Sequence, residues 1–173
     1  MNPGGSTPSP SPAAPTQSAG TVPSADAWGL QFLTLPGGEG TILTGVNIDT
    51  AAKALKVNGL LSRLGTPVGG HTYIVYERSG ETVPNGACVA TGMAVHQLGR
   101  DGSTVLHAVI VVPGDVNGTG VISLSQVVSL SKALAGKKTL EGAYALAGDL
   151  DGNGKIGLTD IVQSAEMFKK VAR

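Results

Sequence analysis

The chain has 173 residues, with 12 basic and 12 acidic side chains and a formal net charge of zero. That length allows one or two domains, and neutrality gives no electrostatic drive toward nucleic acid or a membrane surface. Aromatic residues make up 3% and glycine supplies 26 positions, which suits small, turn-rich domains better than a large enzyme with a deep pocket.

Cys88 is the single cysteine, so neither an internal disulfide nor a cysteine metal cluster is expected. The longest apolar run, around Val105 to Val112, is too short to span a bilayer. The first residues lack a basic start followed by an apolar run, so no signal peptide is read. The chain is expected to be a piece of a longer secreted protein, or its export is not encoded here.

Residues 1–26 are rich in Pro, Ser, Thr, Gly and Ala and have little to bury. They read as an extended, partly polyproline-like linker, either a plain terminal extension or a tether to an upstream module.

Residues 27–113 read as a small β-rich module. Trp28, Leu30 and Phe32 alternate with smaller or polar residues, which predicts a first strand. Thr41 to Ile48 predicts a second. Asp49 or Thr50 can cap a short helix carrying Ala51, Ala52, Ala54 and Leu55. Leu60, Leu61 and Leu64 predict another helical turn, ended by Gly65 and Pro67. His71 to Tyr76 predicts a strand, and Ala87 to Gln97 one or two more. Asp101-Gly102 is a hairpin signal leading into a strand from Thr104 to Val112.

This part offers little chemistry. His71, His96 and His107 are far apart and read as ordinary strand histidines in preference to metal ligands. Cys88 beside Val89 reads as a small core residue. Glu39, Glu77 and Glu81 are too sparse to nominate a carboxylate pair, and no phosphate-binding loop, serine elbow or H-E-x-x-H motif is present. No catalytic residue is nominated, and the chain is not expected to be an enzyme.

Residues 114–173 carry one signal twice. Asp115-Val116-Asn117-Gly118-Thr119-Gly120-Val121-Ile122 returns as Asp149-Leu150-Asp151-Gly152-Asn153-Gly154-Lys155-Ile156, 34 positions later. Oxygen side chains at positions 1, 3 and 5, glycine at 6 and a branched apolar residue at 8 form the first part of a calcium loop. In the second copy, here loop 2, the ligands are Asp149, Asp151, Asn153, the Lys155 carbonyl and Asp160 at position 12. In the first, loop 1, they are Asp115, Asn117, Thr119, the Val121 carbonyl and Gln126 at position 12. Loop 2 brings three formal negative charges and loop 1 brings one, so two calcium sites are expected, loop 2 strong and loop 1 degenerate. Leu124, Val127, Val128 and Leu134 follow loop 1 at helical spacing, and Leu158, Ile161, Val162, Ala165 and Phe168 follow loop 2. Packing the two loop-helix units together would bury both apolar faces. Gly142 to Ala147 fits a short linking helix.

The G-D-V-N-G-T-G-V-I and G-D-L-D-G-N-G-K-I segments, Asp160 at position 12 and the missing helix before each loop resemble a dockerin of the duplicated, type I-like kind. Residues 27–113, running straight into Gly114-Asp115, are similar in position and strand pattern to the Ig-like X modules beside some dockerins. The resemblance implies an α+β chain: a small, mostly-β, Ig-like module, then an all-α dockerin of two F-hand-like calcium loop-helix units. It implies calcium-dependent docking of a parent protein onto a cohesin of a scaffoldin or cell surface, an extracellular location, and a polysaccharide-degrading context. It places the partner face at Leu124-Ser125 and Leu158-Thr159, with Ser131-Lys132 and Ala165-Glu166 further along the same helices. Leu124 and Leu158 fit either an exposed anchor or the internal core. Two other readings stay open: the non-catalytic C-terminal tail of a secreted glycoside hydrolase, and an extracellular structural or adhesion protein held in shape by calcium.

Overall fold

A computed structural model describes residues 30–35, 40–47 and 54–172. The linker at 1–26, Trp28, Glu39 and the capped helical start at 49–52 lie outside the described residues. The strands are β1 (Gln31–Thr34), β2 (Thr41–Thr44), β3 (Thr72–Tyr76), β4 (Ala94–Leu98) and β5 (Thr104–Ile110). The helices are α1 (Val57–Leu64), α2 (Leu124–Leu134), α3 (Ala143–Gly148) and α4 (Leu158–Val171).

All five strands form one sheet in the order β1-β2-β5-β4-β3. β2 runs parallel to β5, with Ile42 opposite Val109, and the other neighbours are antiparallel. Parallel neighbours need a long crossover, and the segment holding α1, β3 and β4 supplies it. This corrects the expected fold class. An Ig-like module needs two sheets face to face, whereas the described residues form a single mixed sheet with four α-helices. Nor do residues 114–173 form a separate all-α unit, because their apolar side chains close on the sheet.

The burial pattern shows how. One sheet face carries Leu43, Tyr73, Val75, Val95, Ala108 and Ile110 inward. Val57 and Leu60 of α1 pack against it, with Leu30, Leu55, Val83, Val89 and Met93 around them. Helix α1 is held by this i, i+3 apolar pair and stopped by Gly65, whose N–H bonds the Leu61 carbonyl at 3.1 Å with φ at 73°. Ala54 and Leu55, expected inside a helix, are buried just ahead of it. On the opposite side Ile42 and Val111 join Val116, Leu130 and Ala147 in a second core, against which Leu140, Ile156 and Ile161 pack. A sandwich or a free helical pair would each leave one of these faces bare.

Ala87 to Gln97 is strand only from Ala94 onward. The stretch before it is a loop that still buries Val89, Ala90, Thr91 and Met93. Cys88 is half-buried, with the Lys56 ammonium 3.3 Å from its sulfur. Asp101 and Gly102 make the β4–β5 turn as the sequence suggests, and Asp101 accepts bonds from the Ser103 amide and hydroxyl.

The α2–α3 connection leaves part of the second sheet face open. There a cleft of about 1220 Å³ is lined by Tyr76, His96, His107, Lys138, Glu141 and Tyr144. His96 stacks between Tyr76, at 4.5 Å, and His107, edge-on at 4.7 Å. Burial, and then the neighbouring His107 charge, hold His96 below its ordinary value. The unfolded chain therefore binds a proton at His96 more readily than the folded one, and stability should rise with pH across the imidazole range and fall as pH drops through about 6.5. Urea midpoints compared between pH 8 and pH 5 should show this fall. His96→Gln should flatten it, and an unchanged slope would remove His96 as its cause.

Candidate metal centre

Loop 2 lies between the end of α3 and the start of α4. Asp149, Asp151 and Asp160 each turn a carboxylate oxygen into it, and these oxygens lie within 4.8 Å of one another. Backbone amides fix all three. Asp149 accepts from the Asn153 amide at 3.0 Å and the Gly154 amide at 2.8 Å. Asp151 accepts from the same Asn153 amide at 3.1 Å. Asp160, fully buried in the first turn of α4, accepts from Leu150 at 2.7 Å, Asp151 at 3.2 Å and Gly157 at 2.7 Å. The last bond ties the carboxylate to the helix start, where the free amides and helix dipole favour an anion. Gly154 has φ at 81°, the turn that lets its N–H reach Asp149.

No lysine or arginine among the described residues forms an ion pair with any of the three carboxylates. Three like charges this close are costly without a cation, and hard carboxylate oxygens suit a hard cation. The cluster could hold a metal ion, and its mixed exposure gives one an entry path: Asp160 buried, Asp149 half-buried, Asp151 exposed. Asn153 and Lys155 stand beside it, exposed; the Asn153 side-chain oxygen accepts from the Lys155 amide at 2.9 Å.

Loop 1 is arranged differently. Asp115 is fully buried and accepts from the amides of Thr91 at 3.0 Å, Thr119 at 2.8 Å and Gly120 at 2.9 Å. Gln126 is fully buried too. Its Nε2 donates toward Asp115 Oδ1 at 3.2 Å, Thr119 Oγ1 at 3.1 Å and the Val121 carbonyl at 2.8 Å. Asn117 Oδ1 turns instead to Ser129 Oγ at 2.8 Å and Lys138 Nζ at 2.9 Å. Thus loop 1 gathers Asp115, Thr119, Val121 and Gln126 around one point but gives that point to an amide.

Loop 1 also sits on the sheet-side loop. Besides donating to Asp115, Thr91 exchanges hydrogen bonds with the Val112 backbone through its hydroxyl, at 3.0 and 3.2 Å. Sequence reading missed Thr91, and nothing local distinguishes it from other threonines.

The residues expected to face a partner are exposed, Ala165 excepted. Leu124 is 57% exposed and Leu158 is 69% exposed. Val128 and Val162, one turn on, are also exposed, although their spacing suggested core. The inward stripe is instead Val127 and Leu130 in α2, and Ile161, Ser164 and Phe168 in α4. Ser125, Thr159, Ser131, Lys132 and Glu166 are exposed and Ala165 is half-buried. Glu166 is bridged to Lys169 at 2.6 Å on the helix surface.

No helix among the described residues is long and apolar enough to cross a membrane. Comparison of the chain with family models, curated proteins and solved structures gave no match.

Proposed function

We propose that this chain is a calcium-dependent protein–protein binding module that docks its parent protein onto a cohesin of a scaffoldin or cell surface. The observation that carries the reading is the repetition of an exposed apolar pair. Leu124 and Val128 open α2, and Leu158 and Val162 open α4 at the same 34-residue offset as the loops. An exposed leucine beside a hydroxyl residue, Ser125 or Thr159, makes a rigid apolar anchor with a polar rim, as protein interfaces use. The loop-2 carboxylates set the start of α4, so a calcium ion there would fix the presentation of Leu158. Outside the cell calcium is abundant enough to fill such a site, which fits an extracellular location and a polysaccharide-degrading assembly. No nucleic acid, membrane or catalytic role is proposed.

The two anchors differ two turns after their leucines, where Lys132 in α2 corresponds to Glu166 in α4. Opposite charges at equivalent places favour one docking orientation. A pull-down across a panel of cohesins should therefore succeed in calcium and fail in chelator. Of Leu124→Asp and Leu158→Asp, one should weaken binding at least tenfold and the other little. Retention by every cohesin-binding variant, including the double, would overturn the proposed face; no capture by any cohesin in calcium would overturn the function.

A further inference from the structure

We propose that loop 1 is closed by its own side-chain amide, with Gln126 Nε2 standing in the cation's place, and that it takes no calcium. The inference rests on the calcium reading only for its probe. In a calcium loop the oxygens at positions 1, 5 and 7 converge on the ion. Here those are Asp115 Oδ1, Thr119 Oγ1 and the Val121 carbonyl, and all three lie within 3.2 Å of Gln126 Nε2. A nitrogen that near to three ligand oxygens fills the centre of the loop.

The amide cannot simply turn over. Its Oε1 accepts from Ser125 Oγ at 2.7 Å, Ser123 Oγ at 3.0 Å and Asn117 Nδ2 at 3.3 Å. The serine and threonine hydroxyls could adapt to a flip, but it would set oxygen against the Asp115 carboxylate and the Val121 carbonyl on the inner side and amide hydrogens against Asn117 Nδ2 on the outer side. Gln126 has no exposed surface to swing into. The Asp115 charge is already met by three backbone amides, and Lys138 brings its ammonium to Asn117, the position-3 residue. An ion entering loop 1 would have to expel a buried amide and break its bonds on both sides. Loop 2 has no such plug, because Asp160 fills the same position.

This gives the two repeats different duties. Loop 1 is a permanent anchor, pinned to the sheet through Thr91 whatever the calcium level. Only loop 2 responds to the ion.

The test is calcium titration of the full chain, by calorimetry for stoichiometry and by amide NMR for location. The native protein should bind one ion, with the Gly154 and Asn153 amides shifting and those of Gly120 and Thr119 staying in place. Gln126→Glu removes the donor and supplies a carboxylate at position 12, so it should bind two. Native protein that fills two sites, or whose loop-1 amides shift alongside loop 2, overturns the inference and leaves the calcium reading intact. A native protein that binds none overturns the calcium reading alone; Gln126→Glu should then gain its first site. A folded Gln126→Glu chain with no added site overturns the inference. If that variant does not fold in calcium, the loop-1 amides of the native chain decide.

Discussion

Asp160→Ala should abolish the response of the chain to calcium and unravel the start of α4. The substitution removes one of the three carboxylates that could hold the ion. It also strips the acceptor from three part-buried backbone amides, Leu150, Asp151 and Gly157, which surround a carboxylate with no exposed surface of its own. Each unpaired donor costs about 1–3 kcal/mol, and relief of the repulsion from Asp149 and Asp151 offsets part of it, so the loss without any metal is on the order of 1–3 kcal/mol. With calcium the gap should widen by whatever the ion contributes to the native chain, because a ligand bound only by the folded state stabilises that state. Thermal unfolding with calcium and with chelator reads both terms. The native midpoint should rise on adding calcium and the Asp160→Ala midpoint should not. A variant that gains as much as the native chain would show that the ion does not sit on Asp160.

Gly120→Ala tests the seam between the repeats and the sheet. Gly120 has φ at 67°, and a Cβ there would run into the Val89 carbonyl oxygen and lie 3.0 Å from Cys88 Cβ. The first effect strains the backbone by about 1 kcal/mol. The second forces backbone away from backbone, and together they should cost roughly 3 kcal/mol or more. Gly152, in loop 2, is the control: its φ is 72° but a Cβ would meet nothing within 4 Å. Gly152→Ala should therefore lose only the conformational part. Equal losses in the two variants, measured by urea unfolding, would mean that loop 1 is not seated on the sheet as described.

Local rules made some of this chain legible. The two loops were readable because glycine and oxygen side chains at fixed spacing have a meaning that does not depend on the rest of the fold. The same holds for the Asp101-Gly102 turn and the Gly65 stop after α1. The convergence of Asp149, Asp151 and Asp160 follows from one loop and the first turn of its helix, so the candidate site was legible where it is contiguous.

What depended on distant contacts was not. The parallel β2·β5 pairing joins segments that share no local signal. That one sheet would replace a sandwich, and that Ile42 and Val111 would share a core with Leu130 and Ala147, follows from which faces remain uncovered after folding. Val128 and Val162 show the limit of helical spacing: it groups apolar residues on a helix but does not say which stripe turns inward. Gln126 shows another. Its sequence position suggested a weak ligand, yet a glutamine can present oxygen or nitrogen, and the fixed acceptors Asp115 and Val121 with the Asn117 donor decide which.

The sheet order has a consequence for the contact order of the chain. β3, β4 and β5 form a meander whose strands meet their sequence neighbours, with a short turn between β4 and β5 and a longer loop, residues 77–93, between β3 and β4. The β1–β2 hairpin is local as well, but it has nowhere to attach until β5 offers an edge. Thr41 pairs with Ala108 across the whole of α1, β3 and β4. The entropy of bringing two chain segments together grows with the length between them, and long-range pairings slow folding. The parallel seam is thus the long-range step of this topology, and residues 41–44 carry its loop-closure cost for the whole sheet.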